Sequence, residues 1–135
     1  MLALARVLLV DDDPTSRLTL QTVLEAGGYY VDSAASAAEA VGKMDRKAYE
    51  LILSDLELES PEAGLRVLAH ARLMDYAPAA ALIHSSHHGR WNSRDRDVLI
   101  EPQDLPGLLG KVAEMISERA TKRLERELRM ATACS

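Results

Sequence analysis

Short, unbroken apolar runs alternate along this chain with segments whose apolar residues fall three and four apart. Val7-Leu8-Leu9-Val10, Leu51-Ile52-Leu53 and Ala79 to Ile83 are runs of the first kind, the pattern of strands buried on both faces. Pro14 to Ala26 reads as a first helix, capped by Asp12 or Asp13, burying Leu20, Val23 and Leu24 and stopping at Gly27-Gly28. Tyr29 to Ala34 reads as a second strand, and Ser36 caps an alanine-rich second helix that runs to about Met44. The third strand is Leu51 to Ser54. Glu57 to Gly64 then form an acidic loop, and Leu65 to Met74 a third helix with Leu65, Leu68 and Ala69 facing inward. Ala79 to His84 and Val98 to Ile100 complete five strands. The predicted fold class is α/β, a doubly wound five-stranded parallel sheet covered on both faces.

Between the last two strands the pattern fails. Ser85 to Asp97 has no repeat of period 3.6 and only Trp91 as a large apolar side chain, so it reads as a loop. A helix normally covers such a parallel crossover. From Asp104 a long helix begins, with Leu105, Leu108, Leu109, Val112 and Ile116 on one face. The predicted division is a domain over residues 1–117 and a charged helical extension over 118–135. In that extension Ala120, Leu124 and Leu128 continue a narrow stripe, supported by the i,i+4 pairs Glu118–Lys122 and Glu125–Arg129. The stripe spans fewer than three heptads and reads either as a solvated tail or as the seam of a homodimer.

Composition narrows the function classes. A chain of 135 residues fits one domain. Its net charge of −5 gives no reason to expect non-specific nucleic-acid binding, which needs a basic surface, so no nucleic-acid partner is expected. The apolar start, Met1 to Val10, is too short to span a bilayer and lacks a signal-peptide pattern, so no membrane association is expected. The single cysteine, Cys134, cannot form an internal disulfide, which fits a cytoplasmic protein. His84, His87 and His88 have no cysteine nearby to complete a zinc site.

The chemistry lies at the strand ends. The first strand runs into Asp11-Asp12-Asp13, and the third ends in Asp55. Open parallel sheets bind ligands at the carboxyl ends of their strands. Carboxylates that converge there repel one another unless a cation joins them, and oxygen-only ligation suits Mg²⁺. Helix capping accounts for one aspartate of the cluster and leaves Asp55 unexplained. The pattern points to a metal-dependent phosphoryl site with one carboxylate as a covalent acceptor.

From Arg6 to Ile116 the chain resembles the receiver domain of two-component response regulators. The resemblance rests on Val10-Asp11-Asp12, on Gly28-Tyr29-Tyr30-Val31 followed by Ala34, Ala37 and Glu39-Ala40, and on Tyr49-Glu50-Leu51-Ile52-Leu53-Ser54-Asp55. The separation of 43 or 44 residues between the acidic pair and Asp55 makes the combination specific. It implies a flavodoxin-like fold and phosphorelay signalling, with a histidine kinase or phosphotransfer protein as donor. It also implies Asp55 as phosphoacceptor, and Asp11, Asp12, Asp55 and the backbone carbonyl of Glu57 around Mg²⁺. Ser85 would be the hydroxyl that senses the phosphoryl group. The chain would not be an enzyme, beyond slow self-dephosphorylation.

Four departures stand against the family pattern. Glu101-Pro102 replaces a lysine before the proline. A charge pair at about 4 Å is worth roughly 4 kcal/mol at an effective dielectric near 20, so the reversal is large on the scale of a switch. The acceptor loop reaches Pro61 and Gly64 late and carries Glu57, Glu59 and Glu62. The helix before the fifth strand is missing, and Val98 stands where the family often has an aromatic. Arg90, Arg94 and Arg96 offer charge in place of the lysine, or form a solvated loop. Two readings remain: an atypical stand-alone receiver phosphorylated on Asp55, or a degenerate receiver that works as a phosphorylation-independent interaction or dimerisation module.

Overall fold

The apolar runs become strands and the three-and-four patterns become helices in a computed structural model that describes residues 5–55, 58, 60, 62–83, 99–100 and 105–133, with backbone alone at 99–100, 105–106 and 132–133. In chain order the elements are β1 (Arg6–Val10), α1 (Pro14–Ala26), β2 (Tyr30–Ala34), α2 (Ala37–Arg46), β3 (Leu51–Asp55), α3 (Ala63–Arg72), β4 (Ala79–Ile83), β5 (Leu99–Ile100) and α4 (Leu105–Ala133). All pairings are parallel, in the order β2-β1-β3-β4-β5. Four strands are fully developed. Of the fifth, Leu99–Ile100 are described, and they pair with Leu82 and Ile83.

Successive strand residues point to opposite faces, and two cores result. Val7, Leu9, Leu51 and Leu53 join Leu24 of α1 with Leu108 and Val112 of α4 on one side. Leu8, Val10 and Ile52 join Ala40 and Met44 of α2 with Val67 and Ala71 of α3 on the other. Because β1 connects outward to β2 and the chain then returns across it to β3, the loops after β1 and β3 diverge. A crevice opens at their carboxyl ends.

Local chemistry sets the helix ends. Asp13 caps α1, its Oδ2 accepting from the Ser16 N–H at 3.0 Å and the Ser16 hydroxyl at 2.7 Å. After α1, Gly28 takes φ 98°, a left-handed turn that glycine enters without a steric penalty. At Gly27 a Cβ would meet Leu109 Cδ2 at 3.0 Å, so its absence lets α4 pack close to the end of α1. Ser36 caps α2 through a bond from the Glu39 N–H at 3.1 Å.

Several expectations shift. Helix α1 fully buries Leu24 alone, with Leu20 and Val23 half-buried, and α2 continues two residues past Met44 to Arg46. Helix α3 begins at Ala63 and ends at Arg72, and its inward face is Ala63, Gly64, Val67, Leu68 and Ala71. Leu65, 45% exposed, and Ala69 point to solvent, contrary to the sequence reading. The small residues Ala63, Gly64 and Ala71 take the sheet side, and their size was no signal of burial. The expectation of a loop in place of a helix over Ser85 to Asp97 falls outside the described residues, as do His84, Val98 and the Leu105 side chain. Helix α4 is continuous, and residues 120–131 are exposed on every side.

Candidate functional site

Two strand ends build the site. Beyond Val10 the backbone of Asp11 still follows the ladder, its N–H bonding to the Ala34 carbonyl at 3.0 Å. That bond fixes where the Asp11 side chain leaves the sheet. Its Oδ1 accepts the Asp13 N–H at 3.0 Å, and its carbonyl accepts from an Arg17 guanidinium nitrogen at 2.8 Å. Asp55 ends β3, one residue beyond the pairing of Val10 with Ser54, and so stands beside Asp11 across two neighbouring strands. The buried Ser54 donates its hydroxyl to the Asp55 carbonyl at 3.1 Å.

The outcome is a three-carboxylate cluster. One oxygen from each of Asp11, Asp12 and Asp55 lies within 4.8 Å of the others. Asp11 is buried, Asp55 half-buried and Asp12 exposed, so the cluster opens outward from a buried base. Burial is the main cause that pushes the Asp11 carboxyl up, from 3.8 to about 6; the Asp13 N–H opposes it, and repulsion from Asp55, Asp12 and Asp13 adds to it. Carboxylates so placed gain most from a divalent cation. The donor set is oxygen alone, which fits Mg²⁺ or a similar hard ion.

Asp11, Asp12 and Asp55, separated by up to 44 residues, are therefore brought together as the sequence led us to expect. Asp13 is spent on capping, which resolves the choice between Asp12 and Asp13. Glu57, Ser85 and Glu101 lie outside the described residues, as do His87, His88, Arg90, Arg94 and Arg96. Arg17 was not anticipated. It sits one turn past the Asp13 cap, and that spacing is the signal that points its side chain back at the loop.

Comparison with known proteins gives the family and the fold. The family model described as response regulator receiver domain matches residues 7–96. A gliding motility regulatory protein of Myxococcus xanthus is 36% identical over 78 residues, covering 58% of this chain and 10% of that protein. The alginate biosynthesis transcriptional regulatory protein AlgB of Pseudomonas syringae is 43% identical over 68 residues, 50% of this chain and 15% of that protein. The chain thus spans a small part of the length of the curated relatives it matches. Among solved structures, the response regulator TrrA of Thermotoga maritima, in complex with Mg(2+)-BeF, superposes with a TM-score of 0.70 at 26% identity, covering 82% of this chain and 97% of that one. NtrX of Brucella abortus superposes at 0.82 over 98% of this chain and 30% of that one. At 21% identity it speaks for the fold alone.

Proposed function

Since the chain belongs to the response regulator receiver family, we propose that it is an atypical receiver that takes a phosphoryl group on Asp55 from a partner histidine kinase or phosphotransfer protein. The observation that carries this reading is the convergence of Asp11, Asp12 and Asp55 at the ends of β1 and β3. Asp11 and Asp12, with the Asp55 carboxylate and the Glu57 carbonyl, would hold Mg²⁺. An ion held there would supply positive charge to neutralise the phosphoryl oxygens. A carboxylate oxygen of Asp55 attacks phosphorus, the bond from phosphorus to the donor's imidazole nitrogen breaks, and the electron pair returns to that ring. The role of Asp11 is to keep its carboxylate aimed into the crevice, through the Asp13 N–H and the Arg17 grip on its carbonyl. Ser85 would hydrogen-bond the phosphoryl group. Catalytic turnover is no part of this reading beyond slow loss of phosphate to water. A cytoplasmic location follows from the donor class; among the described residues no helix is long and apolar enough to cross a membrane.

A second reading has one specific observation behind it. Glu101 stands where the family carries lysine, which favours a degenerate receiver that works by contact alone. Intact mass after incubation with acetyl phosphate and Mg²⁺ separates the two. The proposal expects one phosphoryl group on the wild type, none on Asp55→Ala, and faster gain or slower loss on Glu101→Lys. No adduct on the wild type, with one on Glu101→Lys, would transfer the argument to the degenerate reading.

A further inference from the structure

At the opposite end of the sheet the turn from α3 to β4 meets the middle of α4, and a half-open cavity of about 720 Å³ lies between them. Its walls are pinned. Arg119 donates from Nε to the Ala77 carbonyl at 2.9 Å and from a terminal nitrogen to the Tyr76 carbonyl at 2.7 Å. Ala77 takes φ 46° directly before Pro78, a conformation disfavoured for a residue with a Cβ and for one that precedes proline. A charged fork from α4 thus ties down a strained turn, and the groove between them has a fixed shape.

Charge is sorted here against the balance of the whole molecule. Among the described residues Lys111, Arg119, Lys122, Arg123 and Arg126 line the groove with Asp75 and Glu118, in a chain whose net charge is −5. Among the described residues no ion pair engages Lys122 or Arg126, while Lys111–Glu114 at 3.9 Å and Arg123–Glu127 at 3.6 Å are loose surface pairs. The cations form a row: fifteen residues of helix separate Lys111 from Arg126, a rise of about 22 Å. A single phosphate would meet one or two of them, whereas a linear anion would follow the row. Pro78, Ala79, Ala80 and Met115 add apolar surface to the lining.

We propose that this groove docks an extended acidic segment of a partner protein. Its carboxylates would meet Lys111, Lys122 and Arg126, and its alternate apolar side chains would rest on Met115 and Pro78. The inference is independent of phosphorylation, since the groove and the aspartate cluster sit at opposite ends of the sheet.

The test uses the full chain and a fluorescein-labelled synthetic peptide of alternating glutamate and leucine, with a lysine–leucine peptide, tripolyphosphate and a short DNA duplex as comparisons. The expected result is binding of the glutamate–leucine peptide that weakens with added salt, with amide shifts confined to residues 75–80 and 111–126. Lys122→Glu with Arg126→Glu, both on exposed positions, should weaken it about tenfold. Equal binding of the lysine–leucine peptide, equal shifts with tripolyphosphate or DNA, or unchanged binding by the double variant would each overturn the proposal. The shift map on the wild type keeps the test decisive if the double variant fails to fold.

Discussion

Asp32 lies in the middle of β2, where Tyr49 donates its hydroxyl to Oδ2 at 2.7 Å and Lys47 Nζ approaches the same oxygen at 3.2 Å. Burial works to raise its carboxyl, but the Tyr49 and Lys47 hydrogen bonds and the charges of Lys47 and Lys43 outweigh it and hold the group below the ordinary 3.8. A carboxyl lowered in the folded state stabilises the fold above its ordinary value, and the contribution is lost as pH falls through the lowered one. Asp11 works in the opposite sense. Its raised carboxyl makes the folded state the better proton binder, so stability is lost as pH rises from 3.8 toward about 6. Comparison with a variant isolates the first effect. Asp32→Asn should be less stable than the wild type at pH 6 by about 1 kcal/mol, and the gap should close below about pH 4. Urea unfolding across that range measures it, and a constant gap would contradict the assignment.

Secondary structure was legible where local chemistry decided it. Pro14, the Asp13 cap and Gly27-Gly28 delimit α1 at both ends, because caps and turns act within a few residues. The facing of α3 was legible only in part: Leu68 is buried as expected, whereas Leu65 and Ala69 are exposed. Leu65 drew the eye as a large apolar side chain, yet the sheet takes Val67, Leu68 and the small residues around them. Packing against a sheet selects by fit, and Ala63 and Gly64 permit the closest approach. Substitution separates the two faces. Leu65→Gln should change stability by less than about 0.5 kcal/mol, and Leu68→Ala should cost about 2–4 kcal/mol. Thermal unfolding of both checks the assignment, and similar losses would mean that Leu65 is packed. The site shows the same division. Aspartates after apolar runs announced Asp11, Asp12 and Asp55, since a strand end needs no distant partner to place it. The Arg119 bonds to Tyr76 and Ala77 join positions more than 40 residues apart, and no local pattern encodes them.

The molecule as a whole joins a packed domain to a helix that outruns it. Leu108 and Val112 anchor the first half of α4 in the core, while Leu124 and Leu128, 57% and 59% exposed, lie on the second half. An isolated helix of that length is marginal in water, and its narrow apolar stripe suits pairing with a second copy. Of the two sequence readings of this stripe, solvated tail or dimer seam, we propose the seam of a homodimer. Sedimentation at about tens of micromolar, where a weak pair is visible, should show wild-type dimers that Leu124→Glu with Leu128→Glu returns to monomers. Monomers in both would make the second half of α4 a solvated tail.

Phosphoryl transfer to Asp55, as proposed, depends on Asp11, Asp12 and Asp55 forming one cation site at the crevice between β1 and β3. Titration with Mg²⁺, followed by thermal stability and by the amide shifts of residues 10–13 and 54–55, tests this most directly. Saturable binding at one site should stabilise the wild type, weaken in Asp12→Ala and leave the shifts of α4 unchanged. A wild type that shows neither stabilisation nor shifts at these residues would contradict it.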